Sequence, residues 1–153
     1  MKPYSGSCER NQGPILKILQ EALTDQQCVL EIASGTGQHA VYFGHALPHL
    51  SWQTSELAQN HEGILAWLNE IKLPNVLPPI IIDVNDAKWP IEIVDTVFNA
   101  NMVHIISWPE VERLFAGITR VLNANGILCL YGPFKYEGKF TSESNARFDA
   151  LLR

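Results

Sequence analysis

A short loop with two glycines follows an apolar segment near the start of the sequence, and a carboxylate stands just before it. The loop runs from residue 31 to residue 37 and contains Glu31, Ala33, Gly35 and Gly37. Glycines let the backbone turn tightly and let a ligand approach it closely, because no Cβ is in the way. A helix that begins after such a loop also offers backbone N–H groups without intrahelical partners. The loop is therefore the first candidate ligand site of the chain.

Two classes of nucleoside-containing ligand fit this loop. The spacing Gly35-x-Gly37-x-x-Ala40 satisfies the dinucleotide-binding fingerprint. Glu56 follows at the sequence separation at which that fingerprint has an acid that binds the ribose. Glu31 favours the other class, because a carboxylate at the strand end suits a ligand with an ammonium group and repels a pyrophosphate. S-adenosylmethionine carries such an ammonium group. We therefore predict it as the cofactor and keep a nucleotide-dependent oxidoreductase as an alternative.

Two further acids follow later strands. Glu56 ends the second predicted strand and Asp83 ends the third. In an open α/β sheet, ligands bind outside the carboxyl ends of the strands. A carboxylate at Glu56 can accept hydrogen bonds from both hydroxyls of a ribose, and one at Asp83 can accept from the exocyclic amine of adenine. The alternatives are a solvated loop acid at Glu56 and a capping acid at Asp83.

The segments after the fourth and fifth strands supply residues for chemistry on a methyl acceptor. Asn101 and His104 follow the fourth strand, beside the predicted reactive end of the cofactor, and are the candidate catalytic residues; Asn101 is also predicted to contact the cofactor. His104 is either a general base or a structural histidine. Tyr131 and Phe134, at the end of the fifth strand, are predicted to line an acceptor pocket, with core packing as the alternative. Aromatic faces also stabilise a sulfonium.

These loops need a scaffold that brings the strand ends together. Short β-rich runs alternate with amphipathic helices, which is typical of a parallel sheet covered on both faces. We predict helices over residues 12–23, 39–47 and 60–71, one that Ser107 and Glu110 open with a capping box, and one near Ser142. The predicted strands are Cys28–Ile32, Ser51–Thr54, Ile80–Asp83, Thr96–Ala100 and Ile127–Tyr131, with a proline-containing loop over residues 73–79. The tryptophans are predicted to pack in the core: Trp52, Trp67, Trp89 and Trp108.

The predicted fold class is α/β, a Rossmann-like, doubly wound parallel sheet of about five strands in a single domain over residues 1–153.

The chain carries a net charge of −5 and no run of Lys or Arg, which argues against bulk nucleic acid as a partner. Cys8, Cys28 and Cys129 are odd in number and lack a CxxC spacing, and Cys28 and Cys129 lie beside apolar runs, which indicates buried free thiols. No metal site is predicted. No apolar stretch is long enough to span a membrane, and residues 1–10 do not form a signal peptide. We predict a cytoplasmic protein with no membrane partner.

Several segments together resemble one family. In order, they are Glu9-Arg10-Asn11, the loop segment 29–40, Asn101-Met102-Val103-His104, Tyr131-Gly132-Pro133-Phe134 and Ser144-Asn145-x-x-Phe148-Asp149. Over essentially its whole length the sequence resembles the uncharacterised methyltransferase-like family that includes methyltransferase-like protein twenty-six of animals and many bacterial members. Many methyltransferases share a version of the loop, so the other segments carry most of the specificity.

The resemblance implies a class I methyltransferase fold that uses S-adenosylmethionine, with Arg10 and Asn11 in the acceptor pocket. It identifies no acceptor, so either a small molecule or a protein side chain is expected. Ala33 stands where most class I enzymes have the first glycine of the loop. Family members continue past residue 153 into further strands, so we expect a C-terminally truncated domain whose exposed strand edge a dimer or a partner covers. A non-enzymatic methyltransferase-like binding module is the second alternative.

Overall fold

Helices and strands alternate along residues 2–151, the part of the chain that this computed structural model describes. In order, the elements are α1 (Gly6–Ala22), β1 (Cys28–Glu31), α2 (Gln38–Ala46), β2 (Ser51–Glu56), a 3₁₀ turn (Ala58–Asn60), α3 (His61–Ile71), β3 (Val76–Ile81), β4 (Val94–Ala100), α4 (Trp108–Val121), β5 (Leu122–Tyr131), the hairpin strands β6 (Lys135–Tyr136) and β7 (Lys139–Phe140), and α5 (Glu143–Leu151).

Five strands form one parallel sheet in the order β3-β2-β1-β4-β5. The chain moves from β1 outward to β3 and then returns to the other side of β1 for β4 and β5. The direction of progression therefore reverses between β1 and β4. Open α/β sheets bind ligands at this topological switch point. The predicted fold class, a Rossmann-like parallel sheet of about five strands, is confirmed.

Large apolar side chains cover both faces of the sheet. One cluster packs α1 and α2 against the sheet and includes Leu19, Phe43, Trp52 and Phe98. The other packs α4 and the segment after β3 against the opposite face and includes Leu30, Ile32, Trp89 and Leu114. Burial of each such side chain stabilises the fold by about 1.5–3 kcal/mol. The two clusters hold the sheet rigid, so its strand ends have fixed positions.

The third strand begins earlier than predicted. We predicted a loop over residues 73–79 and a strand over Ile80–Asp83, whereas β3 runs over Val76–Ile81 and includes Pro78 and Pro79. A proline cannot donate a hydrogen bond to a neighbouring strand, so prolines are confined to sheet edges. Here β3 is the edge strand, and its pairing with β2 shifts register in this region. The prolines therefore mark an edge strand, and Asp83 lies two residues beyond it.

Two other elements also begin earlier than predicted. α1 begins at Gly6 instead of Gln12, with the Ser5 side chain as its N-cap, and it includes Pro14. A proline at this position removes the N–H that would have bonded to the Arg10 carbonyl, and a proline ring also crowds the carbonyl four residues before it. β5 begins at Leu122 instead of Ile127, with an irregular register before its regular pairing with β4.

Smaller predictions have mixed outcomes. The backbone N–H of Ser107 donates to the Glu110 carboxylate at 2.8 Å, as a capping box requires. Trp108 is wrongly predicted as a core residue, since 72% of its surface is exposed at the start of α4. The three cysteines are free but only half-buried. Within residues 2–151, no helix is long and apolar enough to cross a membrane.

Candidate functional site

The loop after β1 is held from both neighbouring strands. The Ser34 N–H donates to the Ser55 carbonyl of β2 at 2.8 Å, and the Ile32 N–H donates to the Phe98 carbonyl of β4 at 2.9 Å. The buried Asn99 amide of β4 also donates to the Ile32 carbonyl at 2.8 Å. The loop therefore lies at the switch point in a fixed conformation.

Left-handed backbone angles give this loop its shape. Ala33, Gly35 and Gly37 have φ values of 56°, 57° and 88°. Gly37 is also needed for packing, because a Cβ there would lie 3.1 Å from the Ile64 Cα of α3. The loop therefore uses Gly37 to bring α2 against α3, whereas a Cβ on Gly35 would meet no atom within 4 Å.

Two N–H groups of the loop and the N–H of the first α2 residue already have acceptors within the protein. Gly35 N–H donates to the Glu56 carboxylate at 3.0 Å, and Gly37 N–H donates to the Ser34 carbonyl at 2.9 Å. Gln38 N–H lies 3.3 Å from the Thr36 hydroxyl oxygen that accepts from it. A pyrophosphate bound at this helix terminus would have to displace these acceptors and would meet the Glu56 charge. The geometry therefore disfavours the dinucleotide interpretation of the loop.

Glu31, the last residue of β1, is buried next to the loop. Its side chain is 2% exposed, and its carboxylate accepts a hydrogen bond from the Trp52 indole N–H at 3.0 Å. Burial raises the pKa of Glu31 to about 7, although the hydrogen bonds from Trp52 and Ser34 oppose the shift. Among the described residues, no cation forms an ion pair with it. Glu31 is thus a buried acid without a positive partner.

The two other candidate acids make local hydrogen bonds. Glu56 is nearly buried, and besides Gly35 it accepts from the Leu57 N–H at 2.9 Å. Asp83 accepts from the backbone and side-chain amides of Asn85, at 2.8 and 2.9 Å. Asp83 therefore caps the turn after β3, the role that sequence analysis kept as its alternative.

A cavity of about 700 Å³ opens at the switch point. The loop contributes Ala33, Ser34, Gly35 and Thr36, and α2 contributes His39. The first helix and its cap contribute Ser5, Ser7, Cys8, Arg10, Asn11 and Pro14. The ends of β4 and β5 contribute Ala100, Asn101, His104, Tyr131, Gly132 and Pro133, and the segment around α5 contributes Thr141, Asn145 and Phe148.

The cavity brings together seven of the predicted site residues and leaves out five. It is lined by Arg10, Asn11, Ala33, Gly35, Asn101, His104 and Tyr131. Glu31, Gly37, Glu56, Asp83 and Phe134 lie outside its lining. The Phe134 ring packs beside Gly132 under the cavity wall, at 3.3 Å from the position of a Cβ on that glycine.

Asn101 and His104 lie on the turn that follows β4. Asn101 has a left-handed φ of 61°, which asparagine tolerates better than most residues, and its N–H donates to the Tyr131 carbonyl at 2.8 Å. His104 is half-buried, and its ring contacts Phe148 edge to face with ring centroids 5.3 Å apart. Burial lowers the pKa of His104, so its imidazole is neutral at pH 7 and able to accept a proton.

The role of His39 is not among the sequence predictions. This residue is 5% exposed, its Nε2 lies 2.7 Å from the Asn11 side-chain oxygen, and its ring stacks on Phe43. Burial lowers the pKa of His39 to about 4, so the ring is neutral. A polar residue on an otherwise apolar helix face was the available signal. His39 and Asn11 join α1 to α2 at the wall of the cavity.

The chain before α1 packs along α3, and the two line a second cavity. The Pro3 carbonyl accepts from the Trp67 indole at 2.8 Å, and Lys2 pairs with Glu70 at 2.7 Å. This cavity, of about 570 Å³, shares Gly35 and Thr36 with the first. The loop therefore separates two connected concave surfaces. Among residues 2–151, no group of three or more His, Cys, Asp or Glu side chains is arranged to hold a metal ion.

Solved methyltransferases have the same fold. An O-methyltransferase family protein from Burkholderia thailandensis aligns with a TM-score of 0.78 and 16% identity over 94% of this chain and 44% of that chain. The S-adenosylmethionine-dependent methyltransferase SibL, in its apo form, aligns with a TM-score of 0.80 and 19% identity over 95% and 41%. Coclaurine N-methyltransferase, bound to N-methylheliamine and SAH, aligns with a TM-score of 0.65 and 18% identity over 85% and 38%.

These likenesses establish the class I methyltransferase fold of the chain. The chain spans less than half the length of each of these three structures. A family model described as "Protein of unknown function (DUF938)" matches residues 2–153.

Proposed function

The chain belongs to the DUF938 family of proteins of unknown function, and we propose that it is an S-adenosylmethionine-dependent methyltransferase. The proposal includes kinship with methyltransferase-like protein twenty-six and its bacterial relatives, as the sequence resemblance implies. The acceptor is a small molecule or a protein side chain, and a cytoplasmic location is part of the same proposal. The named activities of the solved neighbours agree with this chemistry.

One observation carries the proposal: a single cavity at the switch point joins the glycine loop to the turn that holds Asn101 and His104. In an open α/β sheet this is where a nucleoside ligand binds. The cavity of about 700 Å³ lies within the range of roughly 300–1,000 Å³ that small-molecule sites occupy. The cofactor and the acceptor would thus share one space.

The residues present fit S-adenosylmethionine better than a dinucleotide. Three of the N–H groups that a pyrophosphate would approach, those of Gly35, Gly37 and Gln38, already have acceptors, and S-adenosylmethionine has no phosphate. The buried, unpaired carboxyl of Glu31 would be stabilised in its charged form by an ammonium group. We assign the methionine end to Glu31, Ala33 and Gly35, with Gly37 shaping the loop.

The nucleoside end is assigned to the acids of the next two strands. Glu56 would bind the ribose through the lone pairs that its bonds to Gly35 and Leu57 leave free. Asp83 would bind the adenine amine, and Asn101 would contact the cofactor from the β4 side. This assignment is the sequence prediction carried forward as part of the proposal.

When bound, the cofactor supplies an activated methyl group on a sulfonium. The chain's own residues position the acceptor, which is the main source of acceleration in a reaction between two bound molecules. His104 accepts a proton from the acceptor, because its neutral imidazole lines the cavity. Asn101 orients the acceptor, and Tyr131 with Phe148 limits access of water.

Calorimetric titration with S-adenosylhomocysteine tests the cofactor, with NADH as the comparison ligand. We expect micromolar binding of S-adenosylhomocysteine, no binding of NADH, and weaker binding by Glu56→Gln. Glu92→Gln is the matched control, since Glu92 is exposed before β4 and outside the cavity. Binding of NADH alone would favour the oxidoreductase, and a folded chain that binds neither ligand would favour the non-enzymatic module.

His104→Ala separates catalysis from binding. We expect turnover to be lost while affinity for S-adenosylhomocysteine is retained. Loss of affinity together with loss of folded structure would instead identify His104 as a structural residue.

A dimer or partner along β5, which pairs only with β4 among the described strands, stays a prediction that sedimentation velocity tests.

A further inference from the structure

The lining of the cavity is polar and carries one formal charge. None of the described residues that line it is Asp, Glu or Lys, and the charge is that of Arg10. The two histidines of the lining, His39 and His104, have pKa values that burial lowers, so they are neutral at pH 7. The chain as a whole has a net charge of −5. A lone guanidinium among neutral lining residues favours an anionic group at its own position in the cavity.

The Arg10 guanidinium has donors to offer a ligand. A guanidinium carries five N–H donors, and here Nη2 donates to the Ser7 hydroxyl at 3.2 Å. Among residues 2–151, no carboxylate lies within ion-pair distance of Arg10. The fork of a guanidinium matches a carboxylate or a phosphate, with two parallel hydrogen bonds.

The position of Arg10 on α1 separates it from the glycine loop. Cys8 and Asn11 contact His39 on α2, the helix that follows the loop. Ser7, Arg10 and Pro14 form the neighbouring row along α1, given 3.6 residues per turn, and this row also lines the cavity. Arg10 thus belongs to the row of α1 residues that these contacts do not join to α2. The methionine end of the cofactor is assigned to the loop beside α2, so Arg10 lies apart from it.

Apolar groups accompany this charge in the cavity. The rings of Tyr131 and Phe148 line it together with Pro14 and Pro133. Tyr131 is 40% exposed and therefore has surface to cover. A ligand with an anionic group and a flat apolar body would meet both requirements.

We propose that the methyl acceptor is a small molecule that carries an oxyanion, a carboxylate or a phosphate, and that Arg10 binds this group. Tyr131 and Phe148 contact the apolar body of the acceptor. This inference rests on the proposed function and narrows it from an unidentified acceptor to an anionic small molecule.

A binding experiment with matched probes tests the charge requirement. The protein is saturated with S-adenosylhomocysteine and titrated with benzoate, benzamide or benzylammonium, while amide chemical shifts are followed by NMR. Benzoate is expected to bind, and the two other probes at least about tenfold more weakly, as the loss of a charge-assisted hydrogen bond implies.

Three variants assign the effect to Arg10. Arg10→Gln should weaken benzoate binding by about tenfold or more, and Arg10→Lys should restore part of it. Lys17→Gln removes a charge from an exposed position of the same helix outside the cavity, and it should leave benzoate binding unchanged.

The cofactor's own carboxylate is the other source of an oxyanion. If Arg10 bound it, Arg10→Gln would weaken S-adenosylhomocysteine but not 5′-methylthioadenosine, which lacks the carboxylate, and the inference would be overturned. It would also be overturned if benzoate failed to bind to the wild type, or if benzamide bound to the wild type as tightly as benzoate does. Equal affinity of the Arg10→Gln variant and the wild type for benzoate would overturn it too. If the wild type failed to bind S-adenosylhomocysteine, the proposed function would fall first. If the wild type bound S-adenosylhomocysteine but not benzoate, this inference would be overturned and the proposed function would stand.

Discussion

The Nε2 atom of His39 lies 2.7 Å from the side-chain oxygen of Asn11, so one buried hydrogen bond joins α1 to the first turn of α2. Asn11→Ala leaves the imidazole nitrogen without this partner. We expect a loss of about 1–3 kcal/mol in the free energy of unfolding, measured by urea denaturation. Gln20→Ala, at an exposed position of α1, is the control and should change the free energy by less than about 0.5 kcal/mol. Equal effects of the two variants would contradict a structural role for the Asn11–His39 pair.

The same histidine and Glu31 affect stability in opposite directions as pH changes. The folded state raises the pKa of Glu31 from 4.5 to about 7. The contribution of Glu31 to the free energy of unfolding is therefore fully present below pH 4.5 and is lost as pH rises to about 7. The folded state lowers the pKa of His39 from 6.5 to about 4, so its contribution is present above pH 6.5 and is lost as pH falls to about 4. The two slopes oppose each other between pH 4.5 and 6.5.

Single variants should reveal each slope. Between pH 4.5 and 6.5, the stability of His39→Gln relative to the wild type should rise as pH falls, and that of Glu31→Gln should fall, each by up to about 1.4 kcal/mol per pH unit. Urea denaturation at several pH values in this window gives the slopes. Parallel slopes in the two variants would show that these groups do not titrate as described.

Cofactor binding should release a proton from Glu31. With a pKa of about 7, Glu31 holds roughly half a proton at pH 7, and an ammonium group nearby would favour the charged form. Calorimetry with S-adenosylhomocysteine in buffers of different ionisation enthalpy measures the release. We expect up to about half a proton for the wild type and none for Glu31→Gln. 5′-Methylthioadenosine, which lacks the ammonium group, should release none from either protein; equal release with both ligands would separate Glu31 from the methionine end.

Ala33 adopts a left-handed conformation that favours glycine, with a φ of 56°. Ala33→Gly removes the steric cost of this conformation but adds freedom to the unfolded chain, so we expect a change within about 1 kcal/mol. Ala33→Val places a β-branched side chain at the same angle and should destabilise the protein by about 1–3 kcal/mol. Urea denaturation of both variants gives the comparison. A valine variant as stable as the glycine variant would mean that the loop relaxes to another conformation.

The sequence predicts the sheet and part of the cavity lining, because these follow from local patterns. The loop glycines, the apolar runs and the Ser107–Glu110 cap each identify an element without knowledge of distant contacts. Pro78 and Pro79 misled the prediction of β3, because whether a proline disrupts a strand depends on that strand's place in the sheet. Sequence order placed Glu31 at the correct strand end but gave no sign that Trp52 would cover its carboxylate, since that contact depends on how β1 and β2 pack together. The role of His39 was missed for the same reason, as its partner lies 28 residues away.

The cavity is assembled from residues as far apart in the sequence as Ser5 and Phe148. No short piece of the chain holds the site, so it exists only after the first helix, the central strands and the last helix have come together. A ligand of this cavity would bind the folded ensemble and leave the unfolded one untouched. Such a ligand would therefore increase the free energy of unfolding with the logarithm of its concentration, by about 2.7 kcal/mol at one hundred times its Kd. The melting temperature would rise accordingly. A thermal-shift screen of candidate metabolites would then detect any occupant of the site before its chemistry is known.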